Sequence, residues 1–95
     1  MDFENFTSSL GEEEPPVHIS AYLLSLWYDA RGDWHTAHEI IQDIHDDKGS
    51  YIHAYLHRRE GDISNARYWY SRAGKPFPDN SSLQEEWEKL VKMLL

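Results

Sequence analysis

A short motif that occurs twice constrains the fold of this chain more than any other feature. Residues 32–37 read Gly-Asp-Trp-His-Thr-Ala and residues 61–66 read Gly-Asp-Ile-Ser-Asn-Ala, so the copies lie 29 positions apart. Glycine readily adopts the left-handed conformation that ends a helix, and the aspartate after it can cap the next helix. Each copy therefore predicts two helices joined by a tight turn, which fold back as an antiparallel hairpin.

Apolar residues recur at helical spacing around both motifs, and no stretch of useful length alternates as a β-strand does. Pro15-Pro16 predicts the start of the first helix, and either Ser81 or Ser82 opens a capping box before the last one. The expected helices span about 17–30, 33–45, 48–59, 63–73 and 82–94. The sequence thus predicts an all-α fold of two helical hairpins and a C-terminal capping helix.

Residues 1–16 differ in composition from the rest of the chain. They hold five acidic residues and no lysine or arginine. Phe3, Phe6 and Leu10 have the spacing that places side chains on one face of a helix. We therefore expect an acidic leader over 1–16 that docks its phenylalanines on the body or on a neighbouring chain, followed by one helical domain over 17–95.

Charge and composition exclude several classes of function. The formal net charge is -8, so phosphate backbones are repelled on net, and we expect no nucleic-acid partner. The apolar runs are far too short to span a membrane, and the N-terminal residues lack the basic and apolar regions of a signal peptide, so we expect no membrane partner and a cytoplasmic location. The absence of cysteine excludes disulfides and thiolate metal sites.

The second motif lies within a longer pattern. Residues 47–80 have the length of one 34-residue tetratricopeptide repeat (TPR). The matching positions are Ala54, Gly61-Asp62-Ile63, Ala66, Trp69-Tyr70, Ala73 and Pro78. On these residues the chain resembles the TPR family, with 18–46 as a shortened copy and 81–95 as the capping helix. The resemblance implies a short right-handed α-solenoid with Ala37, Ala66 and Ala73 buried at helix crossings.

The resemblance also implies a binding surface, because the first helix of each repeat lines the concave face. The candidate partner-binding residues on the first and third body helices are Tyr22, Leu26, Tyr51, Tyr55, Arg58 and Arg59. Tyrosine and arginine are typical of binding hot spots. The leading hypothesis is therefore a non-enzymatic protein–protein interaction module that holds an extended or helical segment of a partner, or its own leader. The competing interpretation is a core face that the leader covers.

Histidines supply the main alternative function. His53 and His57 are four residues apart, and His35 and His38 lie on the preceding helix, so the four could together bind Zn²⁺. No HExxH motif is present, and hydrogen-bonded histidines are the more frequent explanation. We expect no cofactor and no stoichiometric metal, with His53 and His57 bonded to a carboxylate, a backbone carbonyl or a tyrosine hydroxyl. The alternative is a histidine-rich metal-binding or hydrolytic domain.

No catalytic motif stands out: the chain has no glycine-rich phosphate loop, no GxSxG elbow and no cysteine nucleophile. We therefore expect that the chain is not an enzyme. A second alternative is a self-associating structural unit, because about three repeats are usually needed for stability and a homodimer would supply the missing burial.

Overall fold

Helices account for all the regular structure of the protein. A computed structural model describes residues 1–95 and contains six helices and no strands. The helices are α1 (Phe3–Ser9), α2 (Ala21–Ala30), α3 (Trp34–Ile41), α4 (Asp47–Glu60), α5 (Ile63–Ala73) and α6 (Leu83–Leu94). The all-α prediction is confirmed. No helix combines the length and the apolar run that crossing a membrane requires.

The repeated turn motif folds as its residues predict. Gly32 and Gly61 adopt φ angles of 82° and 88°, the left-handed region in which a side chain would be strained. Asp33 and Asp62 follow them and cap α3 and α5 by accepting the backbone N–H three residues later. The two motifs therefore build the hairpins α2–α3 and α4–α5.

The first body helix begins later than its prolines suggest. Ser20 is the cap, because its hydroxyl accepts the N–H of Leu23 at 3.2 Å, and α2 starts at Ala21. His18, two residues earlier, has a positive φ of 63° that no α-helix accommodates. Helix α2 therefore starts four residues later than predicted, and residues 17–20 form the connection that precedes it.

The connection between the hairpins is longer than expected. Helix α3 ends at Ile41, four residues before its predicted end, and Asp46 caps α4 by accepting the N–H of Gly49 at 2.7 Å. A Cβ built on Gly49 would lie 2.0 Å from the carbonyl oxygen of Ile44. Only glycine allows this backbone approach, so Gly49 fixes how α3 enters α4.

Small residues are buried where helices pack together. Ala37 and Ala66 are fully buried and Ala73 is 5% exposed, as the sequence predicts. The hydroxyl of Ser25 in α2 donates to the carbonyl of Ala37 in α3 at 2.8 Å. Small side chains permit this approach, and a larger one would overpack the crossing.

The last helix does not lie where a simple stack would place it. Helix α6 is capped by a capping box between Ser82 and Glu85, and it packs against both α2 and α4. The indole N–H of Trp87 donates to the carbonyl of Leu26 at 2.9 Å, in the interior. Helix α6 therefore lies across the first helices of both hairpins. The TPR-like solenoid remains a prediction.

The leader helix α1 packs on the same side of the molecule. Phe6 is fully buried, and its ring centroid lies 6.1 Å from that of Trp87. Phe3 meets Trp87 edge-on, with centroids 6.3 Å apart. Both phenylalanines therefore contact the body of the same chain. This is one of the two arrangements that the sequence predicts, the other being contact with a neighbouring chain.

Candidate functional site

Half of the predicted binding face lies in the interior of this molecule. Leu26 and Tyr55 are fully buried and Tyr51 is only 5% exposed, so these three residues belong to the core. Their placement on a partner-binding groove is wrong. The reason is that α6 packs across the first helices of both hairpins and α1 packs against α6, and the sequence alone did not show where α6 would pack.

Tyr55 has an internal partner for its hydroxyl. The O–H donates to Oδ2 of Asp29 in α2 at 3.0 Å, and Asp29 is 1% exposed. Arg59 Nε lies 3.0 Å from Oδ1 of the same carboxylate, as an ion pair without an aligned hydrogen bond. Burial raises the pKa of Asp29, and the positive charge of Arg59 opposes that rise. Arg59 is the more exposed member of this network.

Arg58 also binds within the chain. Its guanidinium donates to Oε1 of Glu86 in α6 at 2.8 Å and to the backbone carbonyl of Ser81. The hydroxyl of Tyr70 donates to both oxygens of the same Glu86. Burial and this contact raise the pKa of Tyr70. Arg58 therefore holds α6 to α4 and is not free to clamp a partner.

Tyr22 is the last of the predicted face residues. Its side chain is half-buried, and its hydroxyl donates to Oδ2 of Asp46, the cap of α4. Clefts of about 420 and 360 Å³ lie beside Tyr51. A smaller cleft of about 170 Å³ lies beside Tyr55 and Arg59. Its lining residues are Leu10, Asp29, Ala30, Tyr55, Arg59, Gln84 and Trp87. The cleft is too small for a helix or an ordinary organic ligand, whose sites begin at roughly 300 Å³.

Three of the four candidate metal-binding histidines do meet. His38 from α3 and His53 and His57 from α4 each offer a ring nitrogen, and these nitrogens lie within 4.8 Å of one another. We call these three residues the histidine cluster. The Nε2 atoms of His38 and His53 are 3.0 Å apart. His35 is not part of it, because its side chain is 79% exposed and pairs with Glu39 on the solvent side of α3.

Two tryptophans enclose the histidine cluster. The indole of Trp34 stacks on His38 with centroids 4.8 Å apart, and the indole of Trp69 stacks on His53 at 4.0 Å. The N–H of Trp34 donates to the carbonyl of Leu56 at 2.7 Å, which fixes that ring. The imidazoles therefore lie between two indole planes supplied by α3 and α5.

The environment of the cluster favours the neutral form of two of its imidazoles, those of His38 and His53. Burial, together with the neighbouring His57 and His38, lowers the pKa of His53 to about 4. Burial also lowers the pKa of His38, again helped by His57. Neutral imidazole carries a lone pair on one nitrogen, and this is the form that binds metal ions.

His57 differs because it has a carboxylate partner. Its Nδ1 lies 2.6 Å from Oε2 of Glu60, one helical turn further along α4. A proton lies between the two atoms at that distance, so Nδ1 donates to the carboxylate. The amide nitrogen of Asn65 approaches Nε2 at 3.4 Å. The expected carboxylate partner is thus found for His57, whereas His53 meets another histidine instead.

A second polar surface lies on the outer side of α5. Residues 63–78 contain Arg67, Arg72 and Lys75 and no acidic residue. Tyr68 is 53% exposed between the two arginines. The guanidinium of Arg72 donates to the hydroxyl of Tyr68 at 3.2 Å, and Arg67 lies over the ring of Phe77. We call the side chains of Arg67, Tyr68, Arg72 and Lys75 the α5 surface.

The chain matches no family model, and neither a curated protein nor a solved structure is significantly similar to it. The resemblance to tetratricopeptide repeats therefore rests on the quoted residues alone. Function has to be argued from the two polar sites and from their chemistry.

Sequence reasoning found the histidines but missed the residues that surround them. Trp34 precedes His38 by four positions and Glu60 follows His57 by three, spacings that bring side chains together on a helix. Both contacts were therefore readable from the sequence. In the sequence, Trp69 belongs only to the repeat pattern. Its stacking on His53 depends on how α5 packs against α4.

Proposed function

We propose that this chain is a non-enzymatic protein-interaction module that binds an acidic segment of another protein on the α5 surface. The observation that carries this proposal is a charge asymmetry. Residues 63–78 bear three basic and no acidic side chains, in a chain whose formal net charge is -8. A partner with acidic side chains is attracted to this part of the molecule and repelled by the remainder.

The side chains on this surface suit protein recognition. Tyrosine and arginine are enriched among residues that dominate binding energy, and the exposed ring of Tyr68 offers contact area at a low entropic cost. Arg67 and Arg72 have no carboxylate partner within the chain, unlike Arg58 and Arg59. Their guanidinium groups are therefore available to bind carboxylates in bidentate fashion.

The buried carboxylates support a binding role over a catalytic one. Asp29 is paired with Tyr55 and Arg59, and Glu86 is paired with Arg58 and Tyr70. Both are committed to contacts between helices. A general acid or base needs a substrate within hydrogen-bond reach, and neither carboxylate faces a cavity large enough to admit one.

The test compares two charge reversals of the same size. Arg67→Glu with Arg72→Glu alters the α5 surface, and Lys89→Glu with Lys92→Glu makes the same charge change on exposed positions of α6. Immobilised wild-type protein and both variants are incubated with native lysate, and captured proteins are quantified by mass spectrometry. We expect the wild type and the α6 variant to capture an acidic protein. The α5 variant should capture at least tenfold less of it. Equal capture by all three, or equal loss in both variants, would reject the α5 surface.

A second copy of the chain is the alternative occupant. Glu12, Glu13 and Glu14 are all exposed and form an acidic segment that another copy could present. Light scattering across a concentration series distinguishes the two cases. A dimer that dissociates in the Arg67→Glu, Arg72→Glu variant would identify self-association. A monomer at all concentrations leaves another protein as the partner.

A further inference from the structure

The structure assigns a transition-metal site, which we infer to be a Zn²⁺ site, to the histidine cluster of His38, His53 and His57. This inference is independent of the proposed α5 surface. It rests on the positions of three imidazoles, on the carboxylate behind one of them and on the packing that holds them in place.

Geometry provides the first argument. One nitrogen from each ring lies within 4.8 Å of the others, and the closest pair, Nε2 of His38 and Nε2 of His53, is 3.0 Å apart. Zinc binds imidazole nitrogen at about 2.0–2.1 Å, so two ligands of a tetrahedral ion lie roughly 3.4 Å from each other. The closest pair needs to open by only a few tenths of an ångström to admit the ion.

The helices present these rings in a favourable way. His53 and His57 are four residues apart on α4, so their rings project from one face with centroids 4.8 Å apart. His38 enters from α3, with its centroid 4.8 Å from that of His53 and 5.2 Å from that of His57. Two ligands from one helix and one from its neighbour define three corners of a tetrahedron. The fourth corner is left for water or for a ligand from a partner.

Glu60 supplies the outer contact that histidine metal ligands usually have. Ligating histidines donate their other ring N–H to a carboxylate or carbonyl, which fixes the tautomer and makes the ligand more basic. Nδ1 of His57 makes this contact with Glu60 at 2.6 Å, so Nε2 is the nitrogen left to bind an ion. Glu60 is a positioning residue in this arrangement, because it acts through His57.

A plain hydrogen-bonded core accounts for less of this arrangement. A hydrogen bond between His38 and His53 accounts for the 3.0 Å contact of their Nε2 atoms, but it does not account for His57, whose ring nitrogen lies within 4.8 Å of both. The stacked indoles of Trp34 and Trp69 restrict both rings to this orientation. Rings held with their nitrogens converging cost little to reorganise when an ion binds.

Ligand chemistry selects the class of metal. Three neutral imidazoles suit Zn²⁺, Cu²⁺, Ni²⁺ and Co²⁺, whereas Ca²⁺ and Mg²⁺ prefer oxygen ligands. A three-histidine site with an open fourth position is the coordination that zinc takes in several proteins. Zn²⁺ is therefore the ion we assign, and Mg²⁺ is the negative control.

The experiment uses the full-length protein without a polyhistidine tag, stripped with chelator and titrated with ZnCl₂ by calorimetry. We expect one Zn²⁺ per chain and no heat from MgCl₂. His38→Gln should weaken zinc binding at least tenfold, and this half-buried position tolerates a polar side chain. His35→Gln is the matched control, because it removes a histidine from the same helix outside the cluster and should leave the affinity unchanged.

Two further measurements keep the inference open to rejection if a ligand variant folds poorly. Co²⁺ added to the folded wild type should give the visible d–d bands of a tetrahedral ion, and Zn²⁺ should abolish them. Glu60→Gln should lower zinc affinity about tenfold, the smaller end of the effects known for outer contacts. A stoichiometry far below one, or an equal loss in His38→Gln and His35→Gln, would overturn the assignment.

Discussion

Helix α4 carries polar side chains on two sides, and the two sides satisfy them differently. Toward α2 and α6, Tyr55 and Arg58 meet the buried carboxylates of Asp29 and Glu86. Toward α3 and α5, the histidine cluster meets indole rings and its own imidazoles. We call the first the ion-paired side and the second the imidazole side. The ion-paired side fixes how the helices pack, because each polar group on it is bonded to a partner within the chain. The imidazole side has ring nitrogens that a ligand can bind.

The largest expected effect is on the ion-paired side, at Arg58. Arg58→Ala leaves Glu86, which is 2% exposed, without its positive partner, and removing one member of a buried pair costs about 3–5 kcal/mol. Urea unfolding followed by circular dichroism measures the loss. Glu86→Gln with Arg58→Met removes both charges and should recover most of it. A loss below about 1 kcal/mol in Arg58→Ala would mean that this side does not fix α6.

A smaller effect is expected at Tyr55, on the same side. Tyr55→Phe removes the hydroxyl that bonds Asp29 and leaves a buried acceptor short of a partner, at a cost of about 1–3 kcal/mol. Tyr51→Phe is the matched control, since Tyr51 is similarly buried but makes no hydroxyl hydrogen bond within the chain. Equal losses in the two variants would show that packing, not the hydrogen bond, is measured.

The imidazole side should contribute less to the stability of the metal-free protein. In chelator, His38→Gln removes one hydrogen bond between neutral groups at a half-buried position, so we expect a loss of about 1 kcal/mol. Added ZnCl₂ should raise the melting temperature of the wild type but not of this variant, because an ion that binds only the folded state stabilises it. A loss in chelator as large as that of Arg58→Ala would remove the contrast between the two sides.

The smallest effect is expected at Asp46, which lies outside both sides. The hydroxyl of Tyr22 and the N–H of Gly49 lower the pKa of Asp46. A lowered pKa gives stability that is present above the ordinary aspartate pKa and lost as pH falls through the lowered value. Asp46→Asn caps almost as well, so it should cost roughly 0.5 kcal/mol or less at neutral pH. The difference from wild type should vanish in acid, and a difference that grows as pH falls would contradict this role.

The elements that were predictable depend on local chemistry. Gly61 and Asp62 specify a turn through backbone conformation and a cap three residues away, so the hairpin could be derived without any distant residue. The helical face of Phe3 and Phe6 was readable for the same reason. Helix ends were less predictable where two residues could each start the helix, as Pro16 and Ser20 could for α2. The choice between them depends on the contacts of the flanking chain.

The candidate sites were predictable only in part. The spacing of His53 and His57 guarantees that their rings are neighbours on α4, and the proximity of His38 follows if α3 packs antiparallel. The exclusion of His35 could not be derived, because its direction depends on the rotation of α3 about its own axis. The burial of Tyr55 and the pairing of Arg58 with Glu86 follow from where α6 packs, and no short-range pattern encodes that position.

The sequence by itself determined that the chain is all-α, where its hairpin turns lie and which side chains are available for chemistry. These properties are set by backbone preferences and by hydrogen bonds over three or four residues. Only the tertiary structure decided that α6 packs across the first helices of both hairpins, where two tyrosines predicted to bind a partner are buried. Tertiary structure also brought the imidazoles of α3 and α4 together. Burial depends on which distant apolar faces pack against a given surface, and this packing is determined by the whole chain.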